Sequence, residues 1–257
     1  MSSGLDRRSF LIGTSLTALG LMGSSKPISE KPTSNSDLDT ASIASPVSSH
    51  ESPRSCRPVD PLSALSEGNA RFAAAWQNKN SALSARARAE AMSNLWIDNC
   101  YLPAAVLSQG QAPWATILCC ADSRVAPEWI FDAAPADLFV IRSAGNTAFD
   151  EAVASMEYAV SVLGTPLIMV MGHSGCGAVS AARNSDPLTP LLEQLVSPIR
   201  ASVNDDETLE ASIKANAVQA AKRLTERSTL LNAAVSAGNL KIVVSYFDIS
   251  SGSVSLI

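Results

Sequence analysis

Pro166-Leu-Ile-Met-Val-Met-Gly172 is an apolar run of strand length, and His173-Ser-Gly-Cys-Gly177 follows it directly. Residues 175–183 then take up a helical pattern of small residues around Val179. A strand that is apolar at nearly every position suits a sheet covered on both faces. A polar, glycine-spaced string where the strand ends is where an open α/β sheet binds its ligands. The same alternation runs outward in both directions. Residues 114–120, 137–142 and 240–247 read as further strands, and residues 150–163 and 207–227 as helices. Strands alternating with helices predict an α/β fold with a mainly parallel central sheet flanked by helices. Two helices are expected before the sheet, around residues 62–73 and 83–97. Residues 254–257 are expected to add a C-terminal antiparallel edge strand after a turn at 250–253.

The bulk numbers fit a globular chain. It has 257 residues, 46% of them apolar and 17% charged, with a formal net charge of −5. No block of Lys and Arg occurs, which argues against a nucleic-acid partner. The organisation expected is a signal segment at residues 1–25, a disordered Ser/Pro-rich linker at 26–60 and a catalytic domain at 61–257. Arg7 and Arg8 stand just before a short apolar run from Phe10 to Met22. That arrangement has the shape of an export signal, and Asp6-Arg-Arg-Ser-Phe-Leu11 resembles the twin-arginine type, read by machinery that moves folded proteins. The product is expected outside the cytoplasm, periplasmic or tethered to the membrane. Residues 26–60 hold too few large apolar side chains to offset the entropy of ordering, so His50 and Cys56 are not expected in the site.

Five cysteines are an odd count and do not read as a disulfide framework. Metal chemistry is the better account of some of them. Cys119-Cys120-Ala-Asp-Ser-Arg124 and the string from Gly172 to Gly177 each begin where an expected strand ends. His173 and Cys176 are three apart across a strand end and a helix start, where the helix N-terminus favours a thiolate. Cys120 completes a Cys₂His set. Zinc takes such ligands tetrahedrally, and three protein ligands leave a fourth position open, as catalytic sites require. Cys119 should face the other way, because side chains alternate along a strand. A redox site is the competing reading, but no Cys-x-x-Cys occurs.

Cys120-Ala-Asp-Ser-Arg-Val125 together with His173-Ser-Gly-Cys-Gly-Ala-Val179 resembles the β-class carbonic anhydrase family, whose motifs run C-x-D-S-R and H-x-x-C. Glu67-Gly-Asn-Ala-Arg-Phe72 resembles that family's N-terminal helix, residues 137–146 its strand and loop between the metal motifs, and Phe247, Asp248 and Gly252 its closing hairpin. The resemblance implies one Zn²⁺ per subunit on Cys120, His173 and Cys176, and reversible hydration of CO₂ to bicarbonate and a proton by zinc-bound hydroxide. It implies Asp122 and Arg124 as the catalytic pair, with Asp122 a fourth zinc ligand in a closed state. Gln111 matches a substrate-binding glutamine of the plant-like, open-site branch. Ile117 stands where another branch carries a Trp of an inhibitory bicarbonate site, which favours the open state here. A homodimer or higher homo-oligomer is implied as well. Two alternatives remain: a silent zinc protein that binds bicarbonate or serves as a scaffold, and a hydrolase of carbonyl sulfide or carbon disulfide.

Overall fold

The structure is a computed structural model and describes residues 51–257 apart from residues 185, 205 and 206. The expected signal segment, most of the expected linker, and His50 lie outside the described residues.

Nine helices and five strands are present among the described residues. Helix α1 (Pro61–Ser81) starts on Asp60, whose side chain accepts the Leu62 N–H, with Pro61 in the first turn; this is a helix start of ordinary chemistry. α2 (Ala85–Met92) and the short α3 (Ala104–Leu107) lead into β1 (Ala115–Cys120). α4 (Pro127–Ile130), β2 (Leu138–Ser143), a 3-10 turn at Ala144–Asn146, α5 (Asp150–Ser161) and β3 (Leu167–His173) follow. Then come α6 (Gly177–Arg183), α7 (Pro190–Arg200), α8 (Leu209–Arg227), α9 (Thr229–Ser236), β4 (Lys241–Asp248) and β5 (Ser253–Leu256).

The strands form one sheet in the order β2-β1-β3-β4-β5. The first four are mutually parallel and β5 runs antiparallel to β4. Every residue of β1 and β3 is buried, as their apolar sequence requires. One face of the sheet, with Ile117, Cys119, Met169 and Met171, packs under Leu65 and Phe72 of α1 and Ile130 of α4. The other, with Leu118, Ile168 and Val170, packs against α5, α8 and α9 through Met156, Leu224 and Leu231. A third cluster at the carboxyl end of the sheet joins Cys120 and Cys176 to Val179, Ile199, Ile213 and Tyr246.

α1 is pinned by polar contacts as well as by its apolar stripe. The buried Asn69 donates to the carbonyls of Ile130 and Gly252 and accepts the Val254 N–H. A Cβ at Gly68 would meet the Phe131 carbonyl oxygen at 1.9 Å, so only glycine allows α1 this close to the turn after α4.

Three expectations need correction. Residues 51–60 were expected to close a disordered linker, but they are fixed against the body. Cys56 is disulfide-bonded to Cys100, with Cα atoms 5.6 Å apart. Arg57 donates to the carbonyls of Ala112, Pro113, Leu163 and Gly164 at 2.8–3.1 Å. A covalent bond and four guanidinium hydrogen bonds replace the apolar burial that the composition lacks. The odd cysteine count therefore hides one disulfide beside three free thiols, Cys119, Cys120 and Cys176.

The second helix, expected over 83–97, stops at Met92. Trp96 lies in the left-handed region at φ 67°, its N–H donating to the buried Asp132 carboxylate at 2.6 Å. This tertiary contact overrides local helix propensity. Finally, α7 and α9 had not been expected. α7 carries Pro198 in its interior, which hides it from a pattern reading.

Candidate metal centre

The site is built from three chain crossings at the carboxyl end of the sheet. β1 ends on Cys120, β3 ends on His173, and Cys176 caps the N-terminus of α6. All three are buried, and their ligand atoms lie within 4.8 Å of one another. The fold thus brings the sequence-derived set Cys120, His173 and Cys176 together. Cys119 is buried in the cluster on the α1 face, while Cys120 belongs to the site cluster. The alternation along β1 separates them as expected.

The donor chemistry fits a zinc ion. His173 is fully buried, and its Nδ1 lies 3.0 Å from the Ser174 carbonyl oxygen. That contact requires the proton on Nδ1 and leaves the Nε2 lone pair free. Among the described residues Nε2 has no hydrogen-bond partner. An unpartnered buried nitrogen beside two thiols costs free energy unless a cation takes it up.

With protons alone to share, the two sulfurs join in one hydrogen bond that makes Cys120 the more acidic of the two. The Cys176 thiol donates to Cys120, and with help from the Gly145 N–H this pulls Cys120 well below an ordinary thiol, against its burial. Cys176 is pushed up by the same bond and by burial, against the amides of Val179 and Ala178. A divalent cation would displace the shared proton and hold both sulfurs as thiolates.

Asp122 and Arg124 sit in the turn after β1. Arg124 Nε donates to Asp122 Oδ1 at 2.9 Å and Nη2 to Oδ2 at 2.7 Å, a bidentate pair. The Arg124 backbone N–H adds a third bond to Oδ1 at 2.9 Å. Arg124's hydrogen bonds hold the Asp122 carboxyl at about 2, against partial burial. Arg124 Nη2 also donates to the Gly175 carbonyl at 3.2 Å, which joins the two motifs.

Three supporting residues escaped the sequence reading. Gly145, at φ 70°, donates its N–H to Cys120 Sγ at 3.3 Å. Asn216 of α8 holds the Gly145 carbonyl at 2.8 Å. Arg142 of β2 donates to the carbonyls of Cys120 at 3.1 Å and Asp122 at 2.7 Å, bracing the turn that carries both. The Ala-Gly-Asn stretch at 144–146 was the one signal for the first. The other two depend on strand register and on a helix that is distant in the chain.

Gln111 is not brought to this site. It is exposed in the loop before β1. β1 separates it from Cys120 by about 17 Å of extended chain, at roughly 3.3 Å per residue.

The carbonic anhydrase family model matches residues 115–254, more than half of the chain. A carbonic anhydrase of Mycolicibacterium smegmatis is 32% identical over 211 residues, covering 77% of this chain and 93% of that one. Carbonic anhydrase 2 of Mycobacterium tuberculosis is 44% identical over 126 residues, 49% of this chain and 52% of that relative. The chain thus spans about half the length of that relative in the match. A β-carbonic anhydrase of Aspergillus fumigatus superposes with a TM-score of 0.54 at 26% identity, over 59% of this chain and 78% of that one.

Proposed function

This chain belongs to the β-class carbonic anhydrase family, and from that premise we propose that it hydrates CO₂ reversibly to bicarbonate and a proton, with a zinc cofactor held by Cys120, His173 and Cys176. The observation that carries the proposal is the orphaned His173 Nε2, buried beside two thiols and 3.9 Å from Asp122 Oδ2. A zinc ion in such a site supplies an acidified water as nucleophile at neutral pH, a mode of catalysis for which carbonic anhydrases are themselves the type case.

The chain's own residues set the conditions for attack. Two thiolates would cancel the dipositive charge of a bound zinc ion, which would then acidify water less than on a three-histidine set. Asp122 offsets this by accepting a hydrogen bond from the nucleophile and orienting it toward CO₂. Arg124 keeps Asp122 ionised and away from the metal position, which supports an open site; the bidentate pair is the observation behind it. Ile117 is buried and brings no side-chain N–H donor to a bicarbonate site. The released proton goes to external buffer, because His173 is the only histidine in residues 51–257.

A role for Gln111 in substrate binding requires a second subunit. Its own site lies beyond the far end of β1, so it serves a partner's site in a homo-oligomer or no site at all. Export is supported by two separate features: Arg7 and Arg8 before the apolar run, and the Cys56–Cys100 disulfide, a bond that persists in oxidising compartments.

Stopped-flow CO₂ hydration, with zinc content measured before and after chelation, tests the activity. Loss of rate with loss of zinc is expected. A zinc-loaded protein with no hydration rate identifies a silent bicarbonate-binding protein or a scaffold instead.

A further inference from the structure

The disulfide joins two pieces of chain with different anchorage. Cys100 lies in the loop between α2 and α3, which is fastened to the body without it. Asp132 takes the Trp96 N–H at 2.6 Å, Asn99 Nδ2 donates to the Asp132 carbonyl at 3.0 Å, and the Trp96 and Trp129 rings meet edge-on at 5.2 Å. Cys56 lies in the strap that leads into α1. The next residue, Arg57, spans two loops at the amino end of the sheet: Nε and Nη2 donate to Ala112 and Pro113 before β1, and Nη2 and Nη1 to Leu163 and Gly164 before β3. Ala112 and Pro113 directly follow Gln111. The chain of contacts therefore runs from a fixed anchor, through the disulfide, through Arg57, to the loop that carries Gln111.

We propose that Cys56 and Cys100 form a redox-operated clasp: it is open while the chain is in a reducing compartment, and on closing it locks the 110–113 loop, through Arg57, into the geometry that Gln111 needs to bind substrate. The kinetic part rests on the proposed role of Gln111; the structural part does not.

The clasp is selective because Cys100 is exposed and Cys56 half-buried, whereas the three remaining cysteines are buried. Closure is a thiol–disulfide exchange with a protein disulfide. One cysteine thiolate attacks that disulfide and forms a mixed disulfide. The second, having lost its own proton, displaces the reduced partner. Two protons and two electrons leave the pair, and the oxidant departs as a dithiol. Arg57 is a positioning residue, acting on substrate only through the loop it holds.

The test uses the full chain, recovered from outside the cytoplasm, and an Arg7→Lys, Arg8→Lys form retained inside it. Free thiols are alkylated under denaturing conditions with chelator and counted by intact mass. Three thiols are expected in the first and five in the second, of five cysteines in all. Reduction of the folded enzyme with a phosphine should leave zinc in place, speed amide exchange in residues 110–115 by about tenfold or more, and raise KM more than it lowers kcat. Cys56→Ser with Cys100→Ser should reproduce the reduced state. Arg57→Met should do so with the disulfide intact, which distinguishes transmission through Arg57 from general loosening. Five free thiols in the protein recovered outside, or unchanged exchange at 110–115 after reduction or in Arg57→Met, would overturn the clasp. If Gln111→Ala leaves KM unchanged in the oxidised enzyme, the role of Gln111 fails, and the exchange measurements still judge the clasp.

Discussion

Oδ2 of Asp122 lies 3.9 Å from Nε2 of His173, and the two atoms are held there by different means. Asp122 is fixed by three hydrogen bonds from Arg124. His173 is fixed by the Ser174 carbonyl on the other ring nitrogen. A carboxylate and a free imidazole lone pair therefore face one small volume, with Cys120 and Cys176 on its remaining sides. The relationship separates two jobs. Under the proposed function, His173 and the cysteines would hold the cation, and Asp122 would act on what that cation binds.

Removal of one ligand tests the first job. Cys176→Ser should lose zinc and hydration activity together, while Cys119→Ser keeps both, because Cys119 packs on the opposite face of the sheet. Metal analysis of the purified variants checks this. Full zinc occupancy in Cys176→Ser would sink the ligand set.

The second job predicts a metal-loaded but slow enzyme. Asp122→Asn should retain zinc and lose hydration rate by about 10²–10⁴-fold, the scale for a positioned proton acceptor. Arg124→Ala should follow it through loss of orientation. The pH dependence has a definite sign. Asp122 has a folded value of about 2, below the ordinary 3.8. Whatever stability this difference contributes is complete above the ordinary value and lost as pH falls toward 2. Denaturation midpoints of wild type and Arg124→Ala should therefore keep a constant separation from pH 5 to 8. A separation that changes within that window counts against the assignment.

Gly145→Ala should cost far more than a methyl group usually does. The position has φ 70°, and an added Cβ would meet Ile199 Cδ1 at 2.6 Å and Ala178 Cβ at 3.1 Å. Relief of the clash turns the buried Ile199 side chain out of its place, shifts Ala178 with α6, or withdraws the Gly145 N–H from Cys120 Sγ. A loss of about 2–4 kcal/mol in stability is expected from strain plus overpacking, with weaker zinc retention. Denaturation and a competitive chelator titration measure the two. Wild-type values in both would show that the amide does not support the thiolate.

Proton release should depend on buffer. With one histidine in residues 51–257, and that one buried at the site, no imidazole remains as a shuttle near neutral pH. Turnover is expected to rise with buffer concentration through the millimolar range. A flat response would point to a relay through other side chains.

The disulfide closes a sequence separation of 44 residues. The chain-entropy model assigns such a loop a stabilisation on the order of 4 kcal/mol. For a domain of this size that corresponds to a fall in Tm of roughly 8–16 °C on reduction, as an upper bound. Thermal denaturation with and without a phosphine measures it. An unchanged Tm would mean that the strap is held by Arg57 and the start of α1 alone.

Local pattern was enough for the parallel α/β sheet and for picking out Cys120, His173 and Cys176, which the fold brings together. Near-continuous apolar runs at 114–120 and 166–172, alternating with helical patterns, suit strands covered on both faces. His173 and Cys176 are tied by three residues of chain, and a strand's period of two separates Cys119 from Cys120 whatever else packs around them. Such features depend on neighbours along the chain, and sequence lists those directly. Tertiary structure decided everything that depends on partners far apart in sequence. Residues 51–60 lack the apolar side chains that would mark them as ordered; a bond to Cys100 and four carbonyls from two distant loops fix them instead. Trp96 leaves the helical region because Asp132, 36 residues on, takes its N–H. Gln111 is nine residues from Cys120 in the chain and a full strand length away in space, because an extended strand converts sequence proximity into separation. Arg142, Gly145 and Asn216 support the metal site only once strand register and the path of α8 bring them to it, and no pattern local to any of them carries that information.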